Sequence, residues 1–87
     1  MLVTISREAA RFVRTAARPP TGAIDTVQRG AEVDYVCQLR CTLAEALALR
    51  KWLHGQAEET RPSRPAMADV LEQAAADVGE AIAHHER

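Results

Sequence analysis

Few side chains in this 87-residue chain could do chemistry: Cys37 and Cys41, His54, the pair His84-His85, and the arginines Arg7, Arg11, Arg14 and Arg18. Two thiols four residues apart match neither a CxxC redox pair nor a zinc knuckle. On a strand they share one face at about 13 Å, taking ~3.3 Å per residue, whereas a disulfide needs Cα atoms within about 7 Å. They read as small buried hydrophobes in a reducing compartment. Metal capture with His54, His84 or His85 requires a helix at 37–41, so no metal ligand and no cofactor is assigned.

Arg50 and His54 come closest to a chemical site, one turn apart inside an apolar helical arc. His54 could serve as a general base if a carboxylate oriented it, and Cys37 is the nucleophile that folding could bring near. No nucleophile stands beside His54 in the sequence, so no catalytic residue is assigned. A small enzyme or metal protein around His54 and Cys37 is the second alternative. Buried cations need partners, and Glu58, Asp77 and Glu80 are the candidates. Otherwise Arg50 lays its aliphatic stem over the core edge and sends its guanidinium outward. His84-His85-Glu86-Arg87 reads as a frayed terminus.

The arginine series is the most specific feature. Projected at about 100° per residue, Arg7, Arg11, Arg14 and Arg18 fall on one side of a helix and Ala9, Ala10, Phe12, Val13, Ala16 and Ala17 on the other. Residues 1–30 carry five basic and two acidic groups, a net +3, while residues 55–87 carry three against seven, a net −4. Four guanidinium groups in a row can fork onto phosphates, which makes a nucleic-acid binder the first alternative. Phe12 lies on the far side, so nothing supplies base stacking. The plainer expectation is a soluble helix whose arginines pack against the acidic last helix.

The elements that position these groups follow from pattern. Leu2–Ile5 is a short β-prone run, closed by Ser6 as helix cap. A helix over 7–18 ends at Pro19-Pro20. Ala31, Val33, Tyr35, Cys37, Leu39 and Cys41 alternate with a mainly polar set, predicting a half-buried strand over 32–41. Residues 23–28 form the other arm of a hairpin, with a two- or three-residue turn around Arg29-Gly30. Thr42 and Glu45 make a capping box for a helix over 43–59. Its apolar arc, with Leu43, Ala46, Leu47, Leu49, Leu53 and Ala57, spans about 160° and leaves Trp52 outside. Pro65 suits the first turn of a helix over 65–85.

That last helix carries an acidic side with Asp69, Glu72, Asp77 and Glu80, and a seam of Met67, Leu71, Ala74, Val78, Ala81 and His85 at heptad spacing. The fold class expected is α+β in the order β-α-β-β-α-α, one small helix-dominated domain over 1–87. A three-stranded antiparallel sheet, or a hairpin, packs on three helices.

Composition bounds the function. The hydrophobic fraction is 47%, but 17 of those 41 residues are alanine, leaving 24 larger apolar side chains. A short chain buries a modest share of its surface, so a core of that size predicts an apolar face that a second copy covers. Near-neutral charge, −1, excludes a strongly basic chromatin-type binder. No run approaches the roughly 18 apolar residues of a membrane span. The expectation is a cytoplasmic, bacterial-type, non-enzymatic interaction or regulatory protein, a homodimer or a partner of another protein. Leu49, Trp52, Leu71 and Val78 are its contact residues, and Arg7, Arg11, Arg14, Arg18, Asp69, Glu72 and Glu80 form a charged contact surface.

Overall fold

A computed structural model describes residues 1–15, 28–29 and 36–86. The stretches 23–27 and 32–35 of the expected hairpin, and residues 16–18 of the expected first helix, Arg18 among them, lie outside the described residues. The elements are β1 (Leu2–Ser6), α1 (Arg7–Thr15), β2 (Gln28–Arg29), β3 (Val36–Arg40), α2 (Leu43–Thr60) and α3 (Pro65–Glu86). They make a small helix-dominated α+β fold in which an antiparallel sheet built on β1 and β3 lies against three helices.

Alternation decides which face of the sheet is dry. Val3 and Ile5 of β1 stand opposite Leu39 and Cys37 of β3, and all four are buried. Leu2, Thr4 and Arg40 point to the opposite face and are exposed. Both cysteines are free and buried. Among the described residues β2 pairs Gln28 with Gln38 and Arg29 with Cys37. That register corrects the expected tight turn at Arg29-Gly30, because Arg29 itself is paired and seven residues separate it from its partner.

The helix starts obey their caps. Ala9 N donates to Ser6 Oγ at 3.2 Å, which lets α1 begin directly from β1. At α2, Glu45 N donates to Thr42 Oγ1 at 3.1 Å and Thr42 N donates to Glu45 Oε1 at 2.9 Å, a closed capping box. Gly55 does not end α2, which runs on to Thr60. Arg61–Arg64 then reverses the chain, with Ser63 N and Arg64 N both donating to Thr60 O, and Pro65 opens α3.

α3 is the centre of the molecule, lying against α2, β1 and α1. Ala68, Leu71, Ala74, Ala75, Val78 and Ile82 form its buried stripe. The small residues let α2 approach with Ala46, Leu49, Leu53 and Ala57. Two expectations are corrected here. His85 is exposed rather than part of the seam, and the buried arc of α2 is narrower than 160°, turned toward Trp52. Phe12 of α1 explains the turn: its ring centroid lies 6.1 Å from that of half-buried Trp52, covering that side, while Leu47 on the other side is 41% exposed.

Candidate functional site

Three of the four anchors expected to meet a second chain lie inside this one, and the fourth, Trp52, is half-buried against Phe12. Leu49, Leu71 and Val78 are each 0% exposed and join α2 to α3 within a single copy. Eighteen buried hydrophobic residues form one cluster, and Leu2 and Leu47 are the large hydrophobics exposed among the described residues. The alanines are the reason. They add little burial each, but they let the backbones close in, so a few bulky side chains suffice.

The Arg50–His54 pair is taken apart as well. Arg50 is half-buried, and its stem runs over Gly79, where an added Cβ would lie 3.6 Å from Arg50 Cδ. His54 stands on the open edge of the arc, its side chain 52% exposed, with Nδ1 3.9 Å from Glu72 Oε1. Cys37 lies in β3 on the core side of the sheet. No hydrogen bond, ion pair or cavity joins it to His54 among the described residues. Nor do three or more His, Cys, Asp or Glu side chains gather among those residues in a way that could hold a metal ion.

The charged residues sort into two surfaces. Asp69 accepts a hydrogen bond from Arg61 Nη1 at 3.1 Å, and Glu72 faces both Arg61 and His54 at 3.9 Å. The upper half of the acidic side is thus neutralised by the α2–α3 turn, not by α1 as expected. Arg7, Arg11 and Arg14 are exposed, form no ion pair among the described residues, and with Glu8, Thr15 and Cys37 line a recess of about 630 Å³.

A second surface was not legible in advance. Met1 and Cys41 exchange both backbone hydrogen bonds, Met1 N to Cys41 O at 2.9 Å and Cys41 N to Met1 O at 3.1 Å. In an antiparallel ladder such pairs alternate with non-bonded ones. Val3 and Ile5 therefore turn their backbone groups toward β3, whereas Leu2 and Thr4 turn theirs away from it. Among the described residues nothing pairs with that outer edge. Beside it runs a groove of about 530 Å³, floored by β1 and walled by α3 through Asp77, Glu80, Ala81 and His84. Those four positions fall at i, i+3, i+4 and i+7, one face of a helix. Asp77 accepts from Gln73 Nε2 at 3.1 Å, and Glu80 lies 4.0 Å from His84. No lysine or arginine among the described residues lines the groove.

No family model matches the chain, and no curated protein or solved structure matches it either. No helix among the described residues is long and apolar enough to cross a membrane.

Proposed function

We propose that this chain is a non-enzymatic protein-interaction module that docks an extended segment of a partner along the outer edge of β1. The observation that carries this reading is the edge itself. The sheet, taken with β2 as its third strand in the order β1-β3-β2, leaves β1 as an outer strand. The backbone donors and acceptors of Leu2 and Thr4 face a groove, and the strand carries no proline or charge to blunt it. An unpaired edge is a template for a further strand, and strand addition gains affinity from main-chain hydrogen bonds. Self-association, the expectation drawn from the α2–α3 seam, loses Leu49, Leu71 and Val78 to the interior and keeps half-buried Trp52.

A second reading has its own support in Arg7, Arg11 and Arg14, three exposed guanidinium groups on one helix face without a carboxylate partner among the described residues. A phosphate backbone is the ligand such a row suits. One experiment separates the two: nuclease-treated affinity capture with the wild type, Thr4→Pro, and a variant with the three arginines changed to glutamine. A partner held by the wild type and the glutamine variant but lost with Thr4→Pro is the expected result. Partners retained equally by all three would remove the edge from the argument. Loss confined to the glutamine variant and reproduced by nuclease would favour the second reading.

A further inference from the structure

Building on the β1-edge reading, we infer that the segment received there is cationic, with lysine or arginine at alternate positions. The inference comes from where each face of an added strand would point. Successive side chains of a strand alternate between the two faces of its sheet. On one face, an added strand's residues lie beside Leu2 and Thr4, the first 53% exposed, a setting for apolar or β-branched side chains. On the other face they lie against α3, where Asp77 and Glu80 offer carboxylates and Ala81 leaves room. The Glu80 side chain is 75% exposed and lies 4.0 Å from His84. A lysine or arginine at every second position would meet that row, and an acidic or neutral strand would leave it unanswered.

The same carboxylates argue against a second copy as occupant. Two β1 edges pairing antiparallel about a two-fold axis put both α3 helices on the same side of the joined sheet. Asp77 and Glu80 of each copy would then face those of the other, and like charges brought together at an interface select against that partner. A basic segment removes the repulsion and gains from it, so the groove distinguishes a foreign cationic strand from self.

The test uses the whole chain and three fluorescent octapeptides, in which valine alternates with lysine, with glutamate, or with serine, read by fluorescence anisotropy. The lysine peptide is expected to bind tightest and to weaken as salt rises. Asp77→Asn combined with Glu80→Gln, a surface change that keeps shape, should weaken the lysine peptide by about three- to tenfold, the scale of two exposed ion pairs. It should leave the serine peptide unchanged. Thr4→Pro removes an outward N–H without touching a bond to β3, so the sheet is kept and all peptide binding should fall together. Equal affinity for the lysine and glutamate peptides, abolished by Thr4→Pro, overturns the cationic class and leaves the edge standing. Binding untouched by Thr4→Pro overturns the edge itself. A dimer in the free wild type that Thr4→Pro dissociates makes the occupant a second copy and overturns the cationic strand.

Discussion

Leu71→Ala decides whether the α2–α3 seam is an intramolecular core or half of an interface. Leu71 is among the largest fully buried side chains and sits in the one cluster that ties α3 to α2. Truncating a fully buried leucine removes transfer free energy and leaves a cavity, together about 2–5 kcal/mol. Against a total of roughly 4–13 kcal/mol, at about 0.05–0.15 kcal/mol per residue, that is a large share of the folding free energy. At about 4–8 °C per kcal/mol for a domain of this size, the thermal midpoint should fall by roughly 8–40 °C. The assay is urea unfolding followed by circular dichroism, for wild type and variant, at two protein concentrations about twentyfold apart. An intramolecular core predicts the same loss at both. A folded state that exists only as a dimer would be shifted by RT ln 20, about 1.8 kcal/mol, between them. A concentration-dependent wild-type midpoint, or a loss below about 1 kcal/mol, would refute the single-copy packing.

Two further predictions rest on local geometry. Gly55 lies inside α2 with nothing within 4 Å of an added Cβ, so Gly55→Ala should stabilise the fold by about 0.5–1 kcal/mol in a thermal melt. A neutral or negative change would mean the helix is not continuous there. Burial pushes the Cys41 thiol above its ordinary value of 9.0, with the Met1 ammonium opposing and Glu45 reinforcing the shift. A raised folded-state value means this contribution is whole below the unfolded value and is lost as pH climbs through the folded one. Alkylation of Cys41 by iodoacetamide, followed in Cys37→Ala at about pH 9, should therefore be slower in the native chain than in urea. Equal rates would count against a buried thiol.

What could be read in the sequence was whatever short-range rules govern. Thr42 with Glu45, Ser6 before α1 and Pro65 at the head of α3 mark helix starts because a cap needs only its own next few residues. The alternation of Cys37, Leu39 and Cys41 likewise placed those side chains inside. The errors arise where a second element decides. A helical wheel showed α2 as an arc from Leu49 to Leu47, but it could not know that Phe12 would arrive on the Trp52 side and leave Leu47 open. Heptad spacing on α3 announced an apolar seam without saying whose helix would fill it. The acidic groove was invisible for a related reason. Asp77 and Glu80 could be placed on one helical side, yet only the register of β1 against β3 shows that Leu2 and Thr4 turn their backbones toward them.

The open edge and its carboxylates make one physical argument. Natural sheets usually protect an outer strand with a lysine, a proline, a bulge or a covering element, because bare backbone groups recruit any extended chain. β1, reading Leu-Val-Thr-Ile-Ser, carries none of the first two, and its backbone groups on the outer side are unpaired among the described residues. The protection is displaced onto α3. Carboxylates beside the edge leave its hydrogen-bonding capacity intact while penalising acidic segments and a second copy of the same edge. That arrangement admits a narrower class of partner than a blunted strand, which admits none, or a bare one, which admits all. The arginines of α1 complete the separation of charge. Asp69 and Glu72 lie beside Arg61 and His54, Asp77 and Glu80 line the groove, and Arg7, Arg11 and Arg14 line a separate recess.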